Sequence, residues 1–190
     1  MEAGAREFRG TAEEVRFIIA NADFAIKRGD PDLALGLLSQ VTPEKVYFIK
    51  AQTVMANIYL HHRSDKRMYV NCYRKLVEIE PSLHHLLLLG EAYMKVQEPD
   101  KAIQVYQKAL EQNPGDAGIC SKIGKAMITT HDYNKAVAYY ESAVKDNPNS
   151  PLRHELAELY IKLKRFDQAE SLLRDSLGEK RGEKTHWNFS

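Results

Sequence analysis

Residues 89–114 read LGEAYMKVQEPDKAIQVYQKALEQNP, and residues 123–148 read IGKAMITTHDYNKAVAYYESAVKDNP. When the second stretch is laid under the first, small, aromatic and proline residues coincide at a constant spacing of 34 positions. The coincident pairs are Gly90 with Gly124, Ala102 with Ala136, Tyr106 with Tyr140, Ala109 with Ala143 and Pro114 with Pro148. A spacing that is kept across two adjacent segments indicates an internal structural repeat.

The residue types at the repeated positions predict the shape of one repeat. Small residues stand at repeat positions 8, 20 and 27, an aromatic residue at 24 and proline at 32, which is the tetratricopeptide pattern. Small residues at 8 and 20 let the two helices of a hairpin approach closely, and the proline ends the second helix. The sequence therefore predicts an all-α fold, a tetratricopeptide-repeat α-solenoid of about five helix–turn–helix repeats in a right-handed superhelix without strands.

The same register extends in both directions and predicts the organisation of the chain. We expect repeats at 15–48, 49–82, 83–116, 117–149 and 150–177, between a disordered N-terminal segment at 1–12 and a disordered tail at 178–190. Helices are predicted at 11–28, 31–41, 44–62, 65–79, 83–96, 99–112, 117–130, 133–146, 150–163 and 166–177. The residues expected to pack the helices together are Ala22, Ala56, Gly90, Ala102, Tyr106, Ala109, Gly124, Ala136, Tyr140, Ala143, Ala157 and Ala169.

Two turns show features that the repeat pattern does not specify. Asp30 precedes Pro31 at the start of a predicted helix, where an aspartate side chain is a favourable N-cap. In the second repeat, the register requires one inserted residue near 62–64 and places the large Tyr69 at position 20. A tyrosine at a position that usually holds a small residue predicts a splayed hairpin there.

Composition excludes several classes of protein. The chain has 190 residues, 44% of them hydrophobic, and a formal net charge of +1, so no global field favours nucleic acid. We expect no direct membrane insertion, because no stretch approaches the length of about 18 apolar residues that a span requires. Met1 to Gly10 lacks the apolar segment of a signal peptide, and Cys72 and Cys120 offer no disulfide framework, which suits the cytoplasm. A single all-α domain without repeats is the alternative.

No catalytic, cofactor or metal site is predicted, and the chain is interpreted as not an enzyme. It contains no nucleophile elbow, glycine-rich phosphate loop or H-E-x-x-H motif. The paired histidines at 61–62 and 84–85 are adjacent in sequence, so on a helix their side chains diverge by about 100°. A regulatory domain linked to an enzyme would require a catalytic segment, which this sequence does not contain.

The first helix of each repeat predicts a candidate peptide groove, because its positions 9, 12 and 13 usually face the inner surface. Position 12 is apolar in all five repeats, and position 13 is mostly basic. The candidate groove residues are Lys27, Asn57, His61, Glu91, Met94, Lys95, Lys125, Ile128 and Lys162. They would suit an extended or helical peptide with acidic side chains. The alternative is structural: position 12 packs between repeats, and Asp23/Lys27, Glu91/Lys95 and Glu158/Lys162 form ion pairs within their helices.

One recognition mode of tetratricopeptide proteins is not expected. Co-chaperones of this class hold a terminal carboxylate with Lys, Asn and Arg side chains at positions 2, 5, 6 and 9 of successive repeats. The residues at those positions here include Leu87, Leu88, Glu91, Pro151 and Glu155, which cannot cradle a carboxylate. We therefore do not expect this chain to bind chaperone tails.

Four stretches carry more than the generic repeat: EVRFIIANADF at 14–24, MANIYLHHR at 55–63, QEPDKAI at 97–103 and AELYIKLK at 157–164. Together they resemble the tetratricopeptide repeat protein 21 family, a subunit of intraflagellar transport complex A, over roughly residues 13–177. The resemblance implies a fragment or short variant of that subunit. It also implies protein partners, namely other complex A subunits and ciliary cargo adaptors, and a place at the cilium and ciliary base. The alternative is a cytosolic adaptor for acidic or amphipathic peptides.

Overall fold

A computed structural model describes residues 12–148 and 150–182 of the chain, with side chains described through residue 174. In these residues it contains ten α-helices and no strand. The helices are α1 (Ala12–Lys27), α2 (Pro31–Leu38), α3 (Phe48–His61), α4 (Lys66–Ile79), α5 (Leu83–Lys95), α6 (Pro99–Gln112), α7 (Ala117–Thr129), α8 (Tyr133–Asp146), α9 (Leu152–Lys162) and α10 (Phe166–Gly182). The expected disordered segment at 1–12 lies outside the described residues except for Ala12, which begins α1.

The chain divides into two compact units, Met1–Gln97 and Glu98–Ser190. In the first unit, α1 pairs with α2 and α3 pairs with α4, and α5 packs against α4. In the second unit, α6 packs on α7, α7 on α8, α8 on α9, and α9 on α10. Each unit is therefore built from neighbouring antiparallel helices of the kind that the 34-residue period predicts.

The small residues of the repeat lie at the helix contacts. Ala22, Ala56, Ala102, Ala109 and Ala136 have no exposed side-chain surface, and Ala157 and Ala169 are also buried. Tyr106 and Tyr140 are among the largest fully buried side chains. Gly90 and Gly124 are buried as well, whereas Ala143 is only half-buried. Because most of these buried side chains are small, neighbouring helices can approach closely, as expected for the packing residues.

The same backbone conformation occurs in the turn of each of the five hairpins. The residue just before the second helix's N-cap has a positive φ: Gly29 at 79°, Ser64 at 53°, Gln97 at 65°, His131 at 61° and Lys164 at 59°. A left-handed residue after a helix is the usual way to satisfy the last carbonyl groups, and only Gly29 adopts it without a steric cost. The cap after it is often aspartate; Asp30, as predicted, accepts a hydrogen bond from the Leu33 amide at 3.0 Å.

The second repeat carries its additional residue in this turn, as the register requires. The Asp65 amide bonds to the carbonyl of Tyr59, six residues back, whereas Asp30, Asp132 and Arg165 reach five residues back. The expected splaying of the hairpin is wrong. Helices α3 and α4 are in extensive contact with each other, and Tyr69 is buried at 4% exposure.

The connection between the first two repeats also differs from the prediction. Helix α2 ends at Leu38 instead of 41, and α3 begins at Phe48 instead of 44. Pro43 disfavours helical backbone at Thr42, and Tyr47 has a left-handed backbone with φ of 68° that interrupts any helix before Phe48. Val41, buried at 3% exposure, anchors the connection on the core.

The last helix extends further than expected. Helix α10 runs to Gly182, so residues 178–182 are helical instead of belonging to a disordered tail. Glu179, Lys180 and Arg181 are good helix formers, which explains why Gly178 does not end the helix. Residues 183–190 lie outside the described residues.

Candidate functional site

The candidate groove of the first unit combines apolar and basic side chains on the first helices of its repeats. Ile26, Leu60 and Met94 at position 12 are half-buried, and Lys27, His61 and Lys95 at position 13 are exposed. Helices α1 and α3 contact each other, whereas α5 packs mainly against α4. Asn57 and Glu91 at position 9 are exposed.

The cations of the first unit are not neutralised within their own helices. Neither Lys27 nor Lys95 forms an ion pair with the carboxylate four residues earlier, and His61 has no carboxylate partner among the described residues. The expected intrahelical pairs Asp23/Lys27 and Glu91/Lys95 are therefore absent from this part of the chain.

The cations of the second unit have internal partners. Lys125 Nζ lies 3.3 Å from Glu155 Oε1, and Lys162 Nζ lies 5.1 Å from the centre of the Tyr133 ring. Ile128 beside them is half-buried. Lys125 and Lys162, which the sequence places in the candidate groove, are exposed but have partners within the second unit.

Glu155 is the centre of a hydrogen-bond cluster that the sequence analysis did not find. Its carboxylate accepts hydrogen bonds from Ser121 Oγ at 2.6 Å and from Tyr140 Oη at 2.8 Å, in addition to the ion pair with Lys125. These contacts join α7, α8 and α9. Glu155 stands at repeat position 6, where the third and fourth repeats have Leu88 and Lys122, so the repeat pattern contains no signal for the cluster.

The cluster lowers the pKa of Glu155 below its ordinary value of 4.5. Burial by itself raises this pKa, but the hydrogen bonds from Ser121 and Tyr140 and the charge of Lys125 favour the ionised form more strongly. The same contact and burial raise the pKa of the Tyr140 phenol. The carboxylate is therefore a structural acceptor at neutral pH and not a proton donor.

We expect Glu155→Gln to remove part of the stability of the chain at neutral pH and none at low pH. The folded-state pKa lies below the unfolded value, so ionisation of Glu155 stabilises the fold above about pH 5, and this contribution is lost as pH falls through the folded pKa. Urea melts at pH 7 should show a loss of about 1–3 kcal/mol. The exposed Glu158→Gln is the matched control, and equal losses in the two variants would contradict the role of the cluster.

Neither a metal centre nor a membrane segment is found in the described chain. No group of three or more His, Cys, Asp or Glu side chains there is placed to hold a metal ion. Among those residues, no helix combines the length and the apolar character that crossing a bilayer requires.

Cys72 and Cys120 are buried free thiols, and burial raises the pKa of Cys72 to about 11, which makes it a poor nucleophile.

Family models match most of the chain. One described as tetratricopeptide repeat protein 21 ARM repeat matches residues 1–76, and one described as the fourth ARM domain of that protein matches residues 119–188. A general tetratricopeptide repeat model matches residues 86–116. The matches reach beyond the range of 13–177 over which the sequence stretches resemble the family.

Curated relatives carry the same family name. Mouse tetratricopeptide repeat protein 21B is 48% identical over 171 residues, which are 90% of this chain and 13% of the relative. Mouse tetratricopeptide repeat protein 21A is 46% identical over 184 residues, 97% of this chain and 14% of the relative. The Caenorhabditis elegans homolog is 39% identical over 168 residues, 88% of this chain and 13% of the relative. The chain thus spans about an eighth of the length of these proteins.

Solved structures share the architecture. A crystal structure of MamA protein covers 93% of this chain and 96% of its own, with a TM-score of 0.55 and 19% identity. A second MamA crystal structure covers 87% of this chain and 97% of its own, with a TM-score of 0.54 and 20% identity. At this identity the likeness shows the fold alone, which is a tetratricopeptide-type α-solenoid.

Proposed function

This chain belongs to the tetratricopeptide repeat protein 21 family, and on that premise we propose that it acts as a non-enzymatic scaffold segment of intraflagellar transport complex A. Its role would be in retrograde ciliary transport and ciliary cargo entry, at the cilium and the ciliary base. Its partners would be other complex A subunits and cargo adaptors. Tetratricopeptide repeats are protein-interaction scaffolds, and relatives at 46–48% identity support placing this one in that family's assembly.

The observation that carries a binding role is the surface of the first unit. Ile26, Leu60 and Met94 are half-buried apolar side chains on the same helices as the exposed Lys27 and Lys95, which have no ion-pair partner among the described residues. Apolar anchors flanked by basic groups fit a helical or extended segment that carries acidic residues. This chemistry suits an acidic or amphipathic partner segment, both in a ciliary assembly and in a cytosolic adaptor.

Affinity capture of the tagged chain from ciliated cells, followed by mass spectrometry, tests the proposal. We expect recovery of complex A subunits with the natural sequence and a loss of at least about tenfold with Lys27→Glu combined with Lys95→Glu. The matched control is Lys125→Glu with Lys162→Glu, which alters cations that the second unit uses internally. Recovery of unrelated acidic clients without complex A subunits would favour the cytosolic adaptor instead, and equal capture by both double variants would contradict the groove in the first unit.

A further inference from the structure

A cavity of about 470 Å³ lies in the first unit, where the connection at 39–47 meets α3, α4 and the start of α5. Its walls include Pro43, Tyr47, Phe48, Leu76, Ile79 and His85. A smaller cavity of about 270 Å³ shares Pro43, Phe48 and Ile79 with the first and adds Gln52 and Met55. The shared walls make the two cavities adjacent, and the first is within the size range of small-ligand sites.

His85 contributes an unused hydrogen-bond acceptor to the larger cavity. The side chain is only 6% exposed, and its Nδ1 lies 2.7 Å from the carbonyl oxygen of Glu80. A carbonyl oxygen can only accept, so Nδ1 carries the hydrogen and donates it. In the tautomer that carries its hydrogen on Nδ1, Nε2 presents a lone pair. Nε2 has no hydrogen-bond partner among the described residues.

Gln52 contributes a second unused acceptor to the smaller cavity. The side chain is 4% exposed, and its buried Oε1 has no hydrogen-bond partner in the described part of the chain. Its Nε2 makes only a long contact of 3.8 Å with Met55 Sδ. Leaving a buried acceptor unpaired is costly, so native structures rarely keep one without a use. Each cavity thus offers one acceptor without a partner among the described residues, and of the two only Gln52 Oε1 is fully buried.

The rim of the larger cavity is apolar and conformationally strained. Ile49 and Ile79 line it and remain 38% and 50% exposed. Tyr47 has a φ of 68°, which is unfavourable for a large side chain, and Arg16 donates to its hydroxyl group at 2.8 Å. Strained backbone that is held in place by such contacts concentrates at binding sites.

We propose that the larger cavity binds the indole ring of a tryptophan in a partner peptide. The ring would pack against Phe48, Leu76 and Ile79, and its N–H would donate to His85 Nε2. A backbone N–H of the same segment would donate to Gln52 Oε1. An indole is a large apolar ring with one donor and no acceptor, so it matches an apolar wall on which His85 Nε2 is an unpartnered acceptor. This site is separate from the candidate groove, and it stands whether or not the ciliary role holds.

Two small probes test the proposal on the full 190-residue chain. N-acetyl-tryptophanamide and its 1-methylindole analogue differ only in the ring N–H. In NMR titrations, we expect saturable shifts of the signals of His85, Gln52 and Ile79 with the first probe. The methylated probe should bind about three- to tenfold more weakly, which is the contribution of one hydrogen bond.

The variants decide whether His85 is the acceptor. Asparagine can keep the hydrogen bond to the Glu80 carbonyl but lacks a counterpart of Nε2, so in His85→Asn the two probes should bind equally. The exposed His84→Asn should keep the preference, and Ile79→Glu, at the exposed rim, should abolish binding of both probes. The proposal is overturned by the absence of a saturable shift, as expected for a cavity that holds only water, or by an unchanged preference in His85→Asn.

Discussion

Gly124→Leu will destabilise the folded chain by several kcal/mol, although glycine is a poor helix former and its replacement in a helix usually helps. A Cβ atom built at Gly124 would lie 2.2 Å from Tyr140 Cζ and 2.3 Å from its hydroxyl oxygen. Tyr140 is 1% exposed and its hydroxyl bonds to Glu155, so the ring has no free space into which it can move. Urea melts of the purified chain measure the loss, and even Gly124→Ala should be clearly destabilised.

Lys125→Ala is the matched control because it changes the next residue of the same helix. The Lys125 side chain is 65% exposed, and an exposed ion pair such as the one with Glu155 contributes at most about 1 kcal/mol. The difference between the two variants therefore reports the packing at position 8. Equal losses of stability would mean that the repeat register assigned from the sequence is wrong.

Tyr69→Ala should cost about 3–5 kcal/mol, although alanine is the residue that the repeat pattern prefers at position 20. Tyr69 is 4% exposed, and its ring meets that of Tyr73 edge-on with the centroids 5.3 Å apart. Its truncation leaves a cavity in the core of the second hairpin, since helices held by a large side chain cannot close fully around a small one. Thermal or urea unfolding measures the effect.

Two further variants separate the causes of that loss. Tyr69→Phe keeps the ring and should retain most of the stability, because it removes only the hydroxyl group. Phe24→Ala removes an aromatic ring that is 60% exposed and should cost little. If Tyr69→Ala is as stable as the natural chain, the Tyr69 ring does not stabilise the core of the second hairpin, and the prediction is wrong.

Features of the fold that recur with the 34-residue period can be predicted from the sequence, whereas features that depend on the surroundings of one residue cannot. The ten helices, the Asp30 cap and the inserted residue before Asp65 follow from patterns that recur every 34 residues or from local chemistry. The splaying assigned to Tyr69 is wrong because position rules describe an average repeat, whereas neighbouring side chains decide whether a large residue fits. Helix α10 continues past Gly178 to Gly182, beyond the predicted end at 177, because a single glycine does not outweigh the helix formers that follow it.

By itself, the sequence determined the family of this protein, its helical hairpins and which small residues lie where helices touch. These properties depend on spacing along the chain, and spacing is visible in the sequence. Tertiary structure alone decided that Lys125 and Lys162 are held by Glu155 and Tyr133 while Lys27 and Lys95 are not. It also decided that Gln52 and His85 line adjacent cavities, since an acceptor is left unpaired only when distant segments meet around it without supplying a donor.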